Sequence, residues 1–296
     1  MNTKITFVHA LSPLHAGTGQ GIGVIDLPIA REKATGIPYL PGSSLKGTLR
    51  DQCQEATPED QRKKKAVFGP DTSGAPEHAG SAQFSDVRLL LLPVRSLKGT
   101  FAWVTSPFLL QRLAREAGWA GLTDPCFSDI PQPAETGCHV ATESCLILSQ
   151  KIYLEDLDLD FEANGVVDSW ASWLGRYLFE GETVWQTKLK QRLCIVSDNV
   201  LDFLLDTATE INARIKLLSD KKTVQSGGLW YEEALPSETV LTGLLVETPV
   251  KESLLKAGEV FSVVRAIIRP NDKACPLQFG GKATVGKGLC YVHLTA

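Results

Sequence analysis

Both ends of the chain carry the same signal. Lys4 to Ala10 and Leu289 to Leu294 each alternate apolar and polar residues, the period-two pattern of a strand with one covered face. Each is joined to a glycine-rich loop: Gly17, Gly19, Gly21 and Gly23 follow the first strand, and Gly280 to Gly288, reading GGKATVGKG, precede the second. A chain that starts and finishes on strands must build a sheet. What lies between decides what covers it.

The intervening pattern is mixed. After Pro41-Gly42, either Ser43 or Ser44 is placed to cap a helix whose apolar stripe is Leu45, Leu49 and Cys53. Lys46 and Arg50 share a neighbouring face near its start, where two cations and exposed backbone N–H groups can hold phosphate. Arg62 to Lys65 opens a polar stretch running to about Gly80 that reads as a long loop. Gln83 to Val94 and Thr100 to Thr105 read as paired strands, and Ser106-Pro107 starts a helix that ends near Gly118. Further helices are expected over 167–179, 201–208 and 259–269, with extended pieces around a polar, glycine-containing tip over 211–233. In outline this is strand, helix, strand, strand, a long elaboration, helix, strand. The fold class expected is α+β: a ferredoxin-like sheet over residues 1–296, with a large insertion over about 106–250.

With 43% hydrophobic residues the chain can bury a substantial core, so disorder is not the starting point. The formal charge of -4 excludes a global basic field, and any nucleic-acid surface must be local. No apolar run reaches bilayer length and no basic leader precedes an apolar segment, which points to a cytoplasmic protein without membrane contact. The 7 Cys are irregularly spaced and lack a CxxC pair, as expected of reduced structural thiols.

Gly281 to Lys287 fits the GxxxxGK phosphate-loop expression, but Gly288 stands where a Ser or Thr should reach magnesium, and too little chain follows for a helix and sheet. Such a loop, with Lys282 and Lys287, can still cradle an RNA backbone through its N–H groups; the plainer reading is a turn between strands. Asp26 lies among Val24, Ile25, Leu27 and Pro28, an unusual setting for a carboxylate.

The stretch His15 to Arg50 joins that aspartate to the block PGSSLKGTLR at Pro41 to Arg50; GGLWYEEALPSET (Gly227 to Thr239) and QFGGKATVGKGL (Gln278 to Leu289) follow in order. On these segments the chain resembles the RAMP-superfamily backbone subunits of Cmr-type (type III-B) CRISPR effector complexes. The resemblance implies a modified ferredoxin-like (RRM-like) fold, with copies of the chain stacked in a helical filament along a guide CRISPR RNA that pairs with a target single-stranded RNA. Other type III-B subunits, including the large polymerase-like and the small subunit, would complete the assembly. Ser43, Ser44, Lys46, Arg50, Gly280, Gly281, Lys282, Gly286, Lys287 and Gly288 would grip guide RNA, and a thumb hairpin within 211–233 would wedge into the duplex. Asp26 would cut the target as an endoribonuclease residue and hold a divalent metal, Mg or Mn, with His15 and Glu232 in support; the aromatic expected after the Glu pair is Ala234 here. The alternative is a non-catalytic subunit that only coats the guide.

Overall fold

The computed structural model describes residues 2–18, 25–70, 79–218, 220, 223–248 and 255–296. Its N-terminal part runs β1 (Asn2–Ala10), β2 (Tyr39–Leu40), α1 (Gly42–Gln52), α2 (Pro58–Phe68), β3 (Ala82–Phe84), β4 (Val87–Arg95) and β5 (Phe101–Thr105). The middle comprises α3 (Pro107–Trp119), β6 (Gly137–Val140), β7 (Ile152–Leu154), β8 (Leu157–Ala163), α4 (Gly165–Leu178), α5 (Thr183–Arg192), β9 (Leu193–Val196) and α6 (Asp198–Thr207). The chain closes with β10 (Glu210–Leu217), β11 (Val224–Ala234), β12 (Val240–Glu247), α7 (Glu259–Ile268), β13 (Leu277–Gln278) and β14 (Leu289–Leu294).

Among the described residues twelve strands form one mixed sheet in the order β13-β14-β1-β12-β4-β5-β9-β6-β8-β7, with β2 on β4 and β3 on β12. The first strand is therefore flanked by the last strand on one side and by β12 on the other. This position explains why Ile5 to Ala10 is buried on both faces although its alternation suggests only one covered face. α4 covers part of β1, where Phe7 meets Trp173 edge-on at 6.1 Å and lies stacked on Tyr177 at 6.2 Å. β10 and β11 leave the sheet as a separate two-stranded hairpin, where extended pieces are expected from the sequence. Lys221 and Lys222, which lie between β10 and β11 in the sequence, and Gly19, Gly21 and Gly23 lie outside the described residues.

Helix starts follow local chemistry, with two corrections. Residues 58–68 are a helix, not a loop: the Thr57 hydroxyl accepts from the Asp60 N–H, the Asp60 carboxylate answers on the Thr57 N–H, and Pro58 occupies the first turn. Of the cations of this run Arg62 and Lys65 are exposed on that helix, while Lys63 and Lys64 are half-buried and paired, Lys63 with Glu59 and Lys64 with Glu55. Neither Ser43 nor Ser44 caps α1. Its flanking residue is Pro41, and the Asp86 carboxylate, from the turn before β4, takes the Gly42 N–H at 2.9 Å. Gly42 is packed so tightly that a Cβ there would stand 2.3 Å from the Phe84 carbonyl oxygen. α7 is capped in the same way, by the Glu247 carboxylate of β12 on the N–H groups of Gly258 and Val260. Both helices begin on carboxylates borrowed from the sheet region, which fixes helix and sheet to one another. No helix among the described residues is long and apolar enough to cross a membrane.

Candidate nucleic-acid interface and active site

Strand β11 organises the candidate site. One edge pairs with β10; along the other runs the segment after the first glycine loop, with a parallel bridge between Leu27 and Glu232. The Leu27 N–H donates to the Tyr231 carbonyl at 3.1 Å and the Glu233 N–H to the Leu27 carbonyl at 3.0 Å. Asp26 therefore sits in an exposed bend at this edge, and its carboxylate accepts the Tyr231 N–H at 2.8 Å. The side chain faces out of the core.

The next residues of β11 collect the rest. Glu232 is 2% exposed, and its carboxylate accepts from Lys282 Nζ at 2.8 Å, Trp230 Nε1 at 2.8 Å and Arg214 Nε at 3.3 Å, with Lys287 Nζ at 3.9 Å. Burial alone would raise this carboxyl, but the bonds from Lys282, Trp230 and Arg214 hold it at about 2. Lys287 is buried with no hydrogen-bond partner among the described residues, and burial lowers its ammonium. Glu233 accepts from Arg31 at 2.7 Å and from the Ile29 N–H at 3.0 Å, and its carbonyl receives His15 Nδ1 at 2.7 Å. A carbonyl only accepts, so the proton is on Nδ1, and in the neutral ring Nε2 keeps its lone pair. Three consecutive residues, Tyr231, Glu232 and Glu233, thus hold Asp26, Lys282 and His15 in turn.

The second glycine-rich loop docks on the first. The Gly281 N–H donates to the His15 carbonyl at 2.9 Å and the Gly288 N–H to the Pro13 carbonyl at 2.9 Å. Gly280 has φ +69°, and a Cβ there would lie 2.4 Å from the His15 carbonyl oxygen, so no other residue fits. The loop leads into β14 through one 3-10 turn at Ala283–Val285, without the helix a nucleotide phosphate loop requires.

The α1 residues form a separate surface. Ser43, Lys46 and Arg50 line a cleft of about 610 Å³ with Gly42, Phe68 and Phe84, whose two rings are stacked at 6.3 Å. Burial, and then repulsion from Arg50, lowers the Lys46 ammonium. An amphipathic floor with cations at its rim suits a phosphate backbone. The Thr48 hydroxyl donates to the Gln278 carbonyl at 3.1 Å, tying α1 to the chain just before the second glycine loop. The expected site residues therefore fall in two groups, the α1 cleft and the root of the hairpin. Ser44 is not among the cleft's lining residues.

Arg214, Trp230 and Glu233 were not singled out by the sequence pattern. The available signal was two adjacent carboxylates inside the apolar run Trp230 to Leu235, where alternation sends one to each face. Among the described residues no cluster of three or more His, Cys, Asp or Glu gathers as a metal site. Magnesium commonly keeps several waters and takes one or two carboxylates plus substrate phosphate, so the single exposed carboxylate of Asp26 fits an ion completed by water and RNA.

Comparison with known proteins places these features in a family context. The family model described as RAMP superfamily matches residues 7–291. The CRISPR system Cmr endoribonuclease Cmr4 of Pyrococcus furiosus is 36% identical over 296 residues, which span 99% of this chain and 96% of that protein. The crystal structure of oligomeric Cmr4 from Pyrococcus furiosus matches with a TM-score of 0.75 at 28% identity, covering 100% of this chain and 98% of that one. A chain in the cryo-EM structure of the type III-B Cmr-beta bound to cognate target RNA matches with a TM-score of 0.74 over 99% of this chain and 97% of its own; at 22% identity the likeness is one of fold.

Proposed function

The chain belongs to the RAMP superfamily, and from that premise we propose that it is the repeated backbone subunit of a type III-B CRISPR effector complex. In this role it binds guide RNA and cleaves the paired target RNA at Asp26. Three consecutive residues of β11 hold an exposed carboxylate, a buried histidine and a lysine of the glycine loop, and this convergence carries the reading. The relative named as an endoribonuclease supports the activity, the oligomeric relative supports stacking of copies, and the RNA-bound complex of the same fold supports the partners. We read β14, β1, β12 and β4 with α1 and α7 as the modified ferredoxin-like, RRM-like core. The thumb is β10 and β11; with β12 counted in the core, the insertion expected over about 106–250 closes before Val240.

RNA brings its own nucleophile. The ribose 2′-OH attacks the adjacent phosphorus, the bond from phosphorus to the 5′ oxygen breaks, and the leaving oxygen takes a proton. Asp26 stands at the exposed edge where a splayed target nucleotide would be presented, and it would hold a divalent ion, Mg or Mn. Such an ion supplies charge stabilisation at the phosphate. His15, whose Nδ1 is held by the Glu233 carbonyl so that Nε2 can act as the acceptor, takes the 2′-OH proton. Glu232 acts through the cations it fixes, because a carboxyl held at about 2 is a poor proton acceptor. Ser43, Lys46 and Arg50 at the α1 cleft and the Gly280 to Gly288 loop bind the guide backbone, with Ser44 at the same helix start.

The test is Asp26→Ala in the assembled complex with guide and labelled target. Cleavage is expected to fall roughly 100- to 10,000-fold, with guide and target binding retained. A second arm uses a target with a 2′-deoxy sugar at each cut position, which should resist. Unchanged cleavage by Asp26→Ala sinks the assignment of Asp26, and unchanged cleavage of the 2′-deoxy target sinks internal attack by the 2′-OH.

A further inference from the structure

We propose that Glu233 and Arg31 are the positioning residues of the cleavage site, holding the Asp26 segment at one register on the hairpin strand. The inference rests on the ribonuclease reading of Asp26. Its geometry is independent of that reading.

The Asp26 carboxylate accepts the Tyr231 N–H, and Ile25 beside it lies in a β-bridge. The residues after Asp26 are held by a short two-residue ladder, Leu27 on Tyr231 and Glu233, and by contacts to the first loop at Gly17 and Ala16. One buried group ties this ladder down. The Glu233 side chain is 4% exposed and uses both oxygens, Oε1 on the Arg31 guanidinium at 2.7 Å and Oε2 on the Ile29 N–H at 3.0 Å. Arg31 in turn donates to the carbonyls of Leu205 in α6 and Gly36 at 2.9 and 3.1 Å. Only Pro28, Ile29 and Ala30 thus lie between the strand ladder at Leu27, next to Asp26, and an arginine fixed to a separate helix.

The same residue reaches His15. The Glu233 carbonyl accepts from Nδ1 and so selects the tautomer in which Nε2 can act as the acceptor. One residue of β11 therefore sets both the placement of the carboxylate and the protonation pattern of the histidine, without touching substrate. Second-layer groups of this kind typically cost 10- to 100-fold in activity when removed, since a displacement of about 1 Å at the reacting groups is enough for such a loss. Arg31 offers a planar fork that lysine cannot reproduce, so charge alone does not restore it.

The experiment compares the parent complex with Glu233→Ala, Glu233→Gln, Arg31→Lys and Asp26→Ala, assembled with guide. Single-turnover cleavage at saturating target, target affinity, and hydrogen exchange over residues 25–31 are measured together. Glu233→Ala is expected to slow cleavage about 10- to 100-fold, with target affinity within about twofold. Exchange at Leu27 and Ile29 is expected to speed by about tenfold or more while β1 and β12 stay protected. Glu233→Gln keeps an acceptor for the Ile29 N–H and recovers part of the rate; Arg31→Lys falls in between. If Glu233→Ala fails to assemble, the two conservative variants carry the same readouts. Exchange over 25–31 unchanged in every variant overturns the inference. So does accelerated exchange with undiminished cleavage, provided that Asp26→Ala is inactive. If Asp26→Ala cleaves like the parent, it is the reading of the site that fails, and the positioning role falls with it.

Discussion

Glu232 and Glu233 are adjacent on one strand and almost equally buried, yet the two faces they serve are built differently. Glu232 is satisfied by side chains alone, Lys282, Trp230 and Arg214, of which the two cations are about one-third exposed. Glu233 is satisfied by one guanidinium and a main-chain N–H, and its own main chain grips His15 and Leu27. The first face joins the hairpin to the second glycine loop by charge, through flexible lysine stems. The second joins it to the Asp26 segment by backbone geometry. Long movable partners make a contact that tolerates displacement and responds to solvent conditions; backbone partners fix distance and direction. On the function proposed above, a guide-gripping loop can use the former, whereas a cleavage site needs the latter.

The largest effect expected from this contrast is in stability. Glu232→Leu strands Lys282 and Lys287 beside an apolar group, and thermal unfolding should show a loss of about 2–4 kcal/mol. Adding Lys282→Met should recover part of it; a double variant as unstable as the sum of its parts would break the ion-pair account of this face. A smaller effect is expected with acid. The folded carboxyl of Glu232 lies at about 2, below its ordinary value, so its contribution is fully present above pH 4.5 and is lost as pH falls through about 2. Glu32, held at about 2 chiefly by the Arg112 bond, adds a loss of the same sign. In melts recorded between pH 5 and 2, Glu232→Gln should therefore show a shallower decline than the parent. The smallest effect is that of salt. Raising ionic strength should narrow the stability gap between the parent and Glu232→Gln by under about 1 kcal/mol, leaving the gap to Glu233→Gln unchanged. Equal narrowing for both would erase the distinction drawn between the faces.

Much of this architecture is legible in the residues because its signals are local. The terminal strands, α3, α4, α6, α7 and the hairpin all follow from periodicity, and Pro107 marks the start of α3 as expected. Elements whose signal is not periodic escape. α2 hides in a cationic run, although Thr57, Pro58 and Asp60 spell its start. α5 buries only Leu189, and so it shows no apolar face. β9 and most of β12 are buried on both faces, which replaces alternation by a continuous apolar run. For the site, Asp26, His15 and Glu232 are named by the family resemblance of their segments, not by residue type or glycine spacing. Their meeting does not follow from it, because it depends on pairing across about 200 residues between Leu27 and Glu232. The Asp86 cap on Gly42 is hidden for the same reason.

The place of β1 between β12 and β14 has a consequence for biosynthesis. β1 is made long before its two permanent neighbours, about 230 residues ahead of β12 and about 280 ahead of β14. At usual elongation rates that wait is roughly 10–50 s. Throughout it, the apolar stretch from Ile5 to Ala10 is without the two strands that flank it in the folded sheet, the late non-local pairing that slows folding.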